Sequence, residues 1–271
     1  MIGYNVRVIN SSKWHISNRC LLPFDLSDTP NISRFEAFIA TLRYSTILVR
    51  WDSLDAGKNS PWWKVVFTGS YSMESLKKKV RYEVRKGIAS HSYRVVGKEE
   101  IKKHGYEVYK SAYSRYITYE SMLSKDAFAD SIDSMDSCVE FRAVYLNRSD
   151  VMVAFTENIV QEKCCFLSTM WFTPDALSNN AGYFVIHEIL EEYINKRQFL
   201  YVSDGAKNIG HETGIHDFLR KKFGFYNKEM RLNVVYHPLI FPVVKTLYLF
   251  RGFIPNSGRL ASLIRLEHHS R

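Results

Sequence analysis

The chain has 271 residues and a net charge of +9, with 46% hydrophobic, 14% aromatic and 24% charged side chains. These values exclude a disordered or collagen-like chain and supply enough apolar material for one large domain or two small ones. The positive balance favours anionic partners such as phosphates, coenzymes, nucleic acid or anionic lipid, and says nothing of fold.

The four cysteines, Cys20, Cys138, Cys164 and Cys165, form no CxxC pair. A zinc ribbon and a thioredoxin-like motif are thereby excluded, and thiols in a reducing compartment are expected. The opening MIGYNVRVINSSKWHIS lacks the apolar run of a signal peptide. The longest apolar stretch, LIFPVVKTLYLF, is too short for a span and is broken by Pro242 and Lys245. A soluble, cytoplasmic protein is the expectation.

In chain order, YSTILVRW and WWKVVFTG read as strands because they are β-branched and aromatic, with the turn-like DSLDAGKNSP between them. SMESLKKKVRYEVRKGIASH reads as a helix with Ser72 as N-cap, Gly87 near its end and Leu76, Val80, Val84 and Ile88 along one face. Six cations cover the rest of it. A short strand over Tyr93–Val96 then leads to two helices, KEEIKKHGYEVYKSAYSRY and one around SKDAFADSIDSM. Three strand-like runs follow: CVEFRAVYLN, VMVAFTENIV and CCFLSTMWF. A loop, TPDALSNNAG, opens the helix YFVIHEILEEYINKR. After it come the strand FLYVSD, the helix IHDFLRKKFGF and the strand EMRLNVVYH. The order is βαα-βββ-α-β-α-β, an α/β (α+β) chain with a mixed sheet flanked by helices.

That order, from about Ser90 to Pro238, resembles the GNAT N-acetyltransferase superfamily. FLRKKFGFYNKEMRLNVVY resembles the family's fourth helix, its Gly-Phe exit and the next strand. The basic helix LKKKVRYEVRKG ahead of the first strand resembles the FemAB-like branch, which transfers aminoacyl groups and carries a degenerate GNAT-like half before the catalytic one. The resemblance implies a degenerate N-terminal half over 1–90, a catalytic domain over 91–240 and an amphipathic basic tail over 241–271.

Two departures from the family pattern stand out. The Q/R-x-x-G-x-G/A loop that cradles a coenzyme pyrophosphate at a helix N-terminus is SNNAGYF here, with only Gly182 retained. Ser178, Asn179, Asn180, Ala181 and Gly182 are the implied donor-binding residues. The general-acid tyrosine four residues before the Gly of Gly-Phe is Arg220. An arginine cannot hand over a proton, but it can stabilise negative charge or hold a phosphate.

Acyl transfer to an amine needs a proton acceptor, oxyanion donors and a phosphate anchor. SDGAKNIGHETGIHDFLRKKFGF collects such groups where an apolar strand meets a helix. Asp204 is read either as a turn former or as a base, and His211 as the sharper histidine. Glu212 and Thr213 are read as caps, and His216 as a surface or packing residue. Arg220, Lys221 and Lys222 suit a helix C-terminus whatever their role.

The histidines of HETGIH are five apart, off a shared helix face, so no metal is expected. His187-Glu188 reads as structural. Glu157 reads as a solvent position on an edge strand, or else as facing an acceptor pocket. Tyr226 reads as core or as a displaced proton donor.

The expected activity is transfer of an acetyl or aminoacyl group from acyl-CoA or aminoacyl-tRNA to an amine on a small molecule, glycan or peptide. Catalysis would rest on Asp204, His211 and Arg220. The alternative is a non-catalytic GNAT-shaped module that binds nucleic acid or anionic lipid. The partners expected besides the acceptor are tRNA along the basic helix, as the FemAB-like resemblance implies, and a membrane surface touched by the C-terminal tail.

Overall fold

The computed structural model describes residues 5–24, 30–55, 60–115, 121–207, 209, 214–254 and 258–271. Backbone contacts divide the chain into two compact units that interleave in sequence, where the sequence suggested serial segments. One comprises Val65–Gly205 and Gly214–Tyr226. The other comprises Tyr4–Lys64, Ala206–Thr213 and Asn227–Arg271.

The N-terminal strands β1 (Asn5–Ile9), β2 (Ser12–Ser17) and β3 (Cys20–Pro23) form a meander. Its tight turns place Asn10, Ser11, Asn18 and Arg19 at positive φ, the geometry that matches hairpin twist. Helix α1 (Arg34–Arg43) starts at a capping box: Glu36 N–H donates to Ser33 Oγ at 3.2 Å, and Ser33 N–H donates to Glu36 Oε2 at 2.7 Å. Strand β4 (Leu48–Ser53) follows.

This sheet has the order β1-β2-β3-β4-β12, completed from the far end of the chain by β12 (Arg231–Tyr236), which pairs antiparallel with β4 and forms the edge. Alternation along β4 splits the core. Val49 and Trp51 join Trp14, Leu21, Ala37 and Ala40 under α1. Leu48 joins Leu232, Val234, Tyr236, Val244 and Leu266 on the other face. That second face is covered by α9 (Phe241–Leu249) and α10 (Arg259–His269), so the amphipathic tail folds into a helical pair packed on the sheet.

The second sheet has seven strands in the order β11-β5-β10-β9-β8-β7-β6. They are β5 (Trp63–Thr68), β6 (His91–Val96), β7 (Val139–Leu146), β8 (Met152–Gln161), β9 (Cys164–Phe172), β10 (Tyr201–Ala206) and β11 (Tyr226–Glu229). β6 to β9 are antiparallel neighbours, and β10 joins β9 in parallel. The architecture is the expected α/β mixed sheet flanked by helices, here with two mixed sheets.

Three sequence expectations are corrected. The basic helix is split: Ser72 caps a 3-10 turn, Met73–Ser75, Leu76 is extended, and α2 (Lys78–Ser90) begins beyond it. Its buried stripe is Val80, Val84 and Gly87, while Ile88 is 40% exposed, because helical drift carries the every-fourth pattern out to solvent. The loop TPDALSNNAG contains a short helix, α6 (Pro174–Ser178), capped by Thr173, whose hydroxyl accepts from Ala176 N–H. Glu157 is not at a sheet edge: β8 lies between β7 and β9, and the side chain is buried at 4% exposure.

Helices α3 (Lys98–Glu100) and α4 (Tyr106–Tyr113) run on through a π turn, Ile101–Gly105, and α5 (Lys125–Asp133) is N-capped by Ser124. Aromatic contacts fix them to the sheet: Tyr109 meets Trp171 edge-on at 4.9 Å, and Phe128 meets Phe155 at 6.3 Å. Helix α7 (Ala181–Leu190) continues as a π turn over Glu191–Lys196, and α8 (Ile215–Phe223) ends on Gly224 at φ 77. That left-handed C-cap favours glycine, which accounts for the Gly-Phe exit.

Candidate functional site

The geometry of β9 and β10 defines the site. Their parallel pairing covers Tyr201–Ser203 against Cys164–Phe166. Beyond it β9 runs on to Phe172 and β10 to Ala206 without pairing to each other, so the two strands diverge. At the point of divergence Gly205 adopts φ 82, and a Cβ there would stand 2.8 Å from the Phe166 ring. Both the backbone angle and the ring require glycine. Ser203 fixes the strand end by donating to Val65 O at 2.9 Å and accepting from Gly205 N–H at 3.0 Å.

Asp204, one residue on, is held by α8. Its Oδ2 lies 3.1 Å from His216 Nε2, and each side chain is only 10% exposed. Burial pushes the Asp204 carboxyl above its ordinary value, and the hydrogen bond from His216 opposes that rise. A largely desolvated carboxyl–imidazole pair at a strand end suits proton transfer. His216 is thus buried, as a packing histidine would be and a surface one would not, and it is also the partner of an acid. The signal was available: His216, Leu219 and Phe223 share the buried stripe of α8. His211, Glu212 and Thr213 lie outside the described residues.

Arg220 sits one turn beyond His216. Its Nε donates to His216 O at 3.3 Å and its guanidinium pairs with Asp217, with the side chain 34% exposed. Lys221 pairs with the same carboxylate at 2.6 Å and is 69% exposed.

The stretch from Ser178 to Gly182 is the junction of α6 and α7. Ser178 Oγ donates to Pro174 O at 3.1 Å and Asn179 Nδ2 to Asp175 O at 2.9 Å. The backbone N–H groups of Asn179 and Asn180 are bonded within α6. Asn180 takes φ 66 and gives α7 no side-chain cap. The first N–H groups of α7, those of Ala181, Gly182 and Tyr183, have no acceptor within the helix and stand at its positive end, with Ala181 itself buried. Tyr183 then ties this helix start to α8 through Phe218 at 4.9 Å and Phe223 at 6.2 Å. The helix start is also pinned to α2, where a Cβ on Gly87 would lie 2.7 Å from Phe184 Cβ and 3.0 Å from Asn180 O.

The remaining candidates fall outside this cluster. His187 is buried against Tyr71, whose hydroxyl is 2.9 Å from Nδ1, in keeping with a structural role. Tyr226 is 45% exposed, with its hydroxyl 3.3 Å from Thr68, and so is not core. Glu157 faces Thr169 across the strands, its Oε2 buried without a hydrogen-bond partner, and burial pushes its carboxyl up. Among the described residues no three His, Cys, Asp or Glu side chains gather as a metal site, and no helix is long and apolar enough to cross a membrane.

No protein-family model and no curated protein matches the sequence. Solved structures do match the fold. FemX aligns over 90% of this chain and 90% of its own at 10% identity, with a TM-score of 0.57. A conserved protein of unknown function from Bacteroides thetaiotaomicron aligns over 85% of each chain at 10% identity, with a TM-score of 0.52. L-PGS from Bacillus licheniformis aligns over 87% of this chain and 85% of its own at 11% identity, with a TM-score of 0.50. The chain therefore has the GNAT fold, with FemAB-like proteins among its structural relatives. At such identities the likeness speaks for fold alone.

Proposed function

We propose that the chain is an acyltransferase that moves an acetyl or aminoacyl group from acyl-CoA or aminoacyl-tRNA to an amine, by direct attack. The observation that carries this reading is the divergence of β9 and β10 beyond Phe166 and Ser203, with the Asp204–His216 pair beside the opening. The acceptor amine attacks the acyl carbonyl and gives its proton to the Asp204–His216 pair. The tetrahedral oxyanion is stabilised by Arg220 and backbone N–H groups, and the departing thiolate or ribose oxygen recovers a proton. The N–H groups of Ala181, Gly182 and Tyr183 hold the donor's phosphates at the start of α7, and His211 remains a candidate base. The acceptor is an amine of a small molecule, glycan or peptide.

Thermal unfolding with added ligand tests the donor. A rise with coenzyme A supports acyl-CoA, by mass action on the native state. No rise, together with tight, salt-dependent binding of aminoacyl-tRNA, supports the tRNA-borne donor.

A second reading, a non-catalytic module for nucleic acid or anionic lipid, is favoured by one observation. Lys77, Lys78, Lys79, Arg85 and Lys86 are all exposed along α2 and the residue before it. Binding of uncharged tRNA that weakens linearly with log salt, in a protein that turns over no acyl donor, would favour that module.

A further inference from the structure

The unit that contains β12 holds a cavity remote in sequence from Asp204 and His216. It has a volume of about 370 Å³ and lies along the edge strand β12, lined by α1, α9 and α10. One wall is charged. Lys245 and Arg271 pair with a single carboxylate, Glu267, which is 1% exposed, and Arg34 lines the same cavity. Lys245 Nζ lies 2.6 Å and Arg271 Nε 2.9 Å from Glu267 Oε1. Arg34 donates to the Val234 carbonyl at 3.4 Å. The three side-chain cations outnumber the carboxylates at this wall and leave it net positive.

The Tyr236 hydroxyl is buried at the same wall beside Glu267 and makes no hydrogen bond of full geometry among the described residues. A buried hydroxyl in that state favours an entering acceptor that completes it. The opposite wall is apolar and aromatic, with Phe38, Pro238 and Phe241. Lys245 and Arg271 keep 39% and 47% of their side-chain exposure, which leaves the charged wall open to entry. A cavity of this size with a few convergent polar groups and an apolar wall has the makings of a small-ligand site.

We propose that this cavity binds a phosphate monoester. The dianionic phosphate sits against Arg34, Lys245 and Arg271 and accepts from the Tyr236 hydroxyl, and the organic group lies on Phe38 and Phe241. The net positive wall favours an anion, and a phosphate offers enough oxygens for all four donors. The site is independent of the acyl-transfer reading.

Calorimetric titration of the full chain with phenyl phosphate tests it. Saturable one-to-one binding is expected, with phenol and inorganic phosphate each weaker by about tenfold or more, since each lacks half of the contacts. Arg34→Gln weakens phenyl phosphate by about tenfold or more, from loss of a charged hydrogen bond. Arg85→Gln, the same charge change on α2, leaves it unaltered. Tyr236→Phe weakens it with the fold intact, and serves alone if Arg34→Gln does not fold.

Co-sedimentation with phosphatidylcholine vesicles, with and without phosphatidic acid, separates a lipid-borne phosphate from a soluble one. Capture by phosphatidic acid that Tyr236→Phe or Arg34→Gln abolishes assigns the lipid, and phenyl phosphate binding alone assigns a soluble ester. Binding in neither assay, or equal loss in Arg85→Gln, overturns the proposal.

Discussion

Asp204 and His216 stand twelve positions apart in the chain and 3.1 Å apart in the fold, one at the end of β10 and the other on the inward face of α8. If this pair takes the acceptor's proton, Asp204→Asn and His216→Ala each lower turnover by about 10²-fold or more. Stability moves the other way at Asp204. Its folded-state pKa lies above the ordinary value of 3.8, so the native state binds this proton more tightly than the unfolded chain does. Native stability therefore falls as pH rises from the usual carboxylate range through the raised value. Asp204→Asn should melt at or above the wild-type temperature at pH 7 while losing activity. Loss of both together would mark the pair as structural.

Arg220 and Lys221 share Asp217, which makes them a matched pair of variants. Ion pairs to so exposed a carboxylate contribute little to stability, so Arg220→Gln and Lys221→Gln should melt alike. Turnover should separate them. Arg220→Gln loses about 10²-fold if its charge stabilises the oxyanion, and Lys221→Gln loses nothing. Equal turnover in both removes Arg220 from the site.

Two glycines that bear on the start of α7, Gly182 within it and Gly87 on α2 packed against it, should fail in different ways. A Cβ on Gly182 meets only Leu177 Cδ2 at 3.5 Å, an ordinary contact, so Gly182→Asp should fold and lose the coenzyme A shift by charge repulsion at the helix start. A Cβ on Gly87 collides with Phe184, so Gly87→Val should destabilise by about 1–3 kcal/mol whether or not ligand is present. Melting curves with and without coenzyme A distinguish the two.

Glu157 carries a carboxyl raised by burial, with one oxygen that has no partner. Its ionisation is charged against the fold as pH rises above the ordinary carboxylate range. Glu157→Gln should raise the melting temperature at pH 8, by a few degrees per kcal/mol recovered, and the gain should shrink as pH falls towards 4. A constant difference across that range would mean that the site does not titrate.

His15 and His269 are both held down to about 4, each chiefly by burial. They stay neutral in the native state while the unfolded chain protonates near 6.5, so their contribution is intact above 6.5 and is lost as pH falls towards 4. Melting temperature should drop through that window. The double variant His15→Gln/His269→Gln should flatten the acid limb.

The run of β7 to β9 was legible in the sequence because these strands are long, β-branched and bounded by turn residues. The N-terminal meander was not. Its turns use Asn-Ser and Asn-Arg at positive φ in place of an Asn-Gly signature, and its strands are only four to six residues long. Glu157 was misplaced because a charge inside an apolar run reads as a solvent position until pairing on both sides of β8 is known. His216 was undervalued because a histidine on a helix stripe carries no sign of its partner on a distant strand.

The closing of the first sheet by β12 has a consequence for how the chain is made. Asn233 Nδ2 donates to Ser53 Oγ across 180 residues of sequence. During synthesis β4 must therefore wait, with one edge open, until nearly the whole chain has left the ribosome. The hairpins of β7 to β9 need no such delay. A truncation before Arg231 would leave β4 as a bare edge strand with the β-branched and aromatic run LVRW exposed to self-association. The chain should be expressed whole, since neither end can be trimmed back to a lone sheet without uncovering the other.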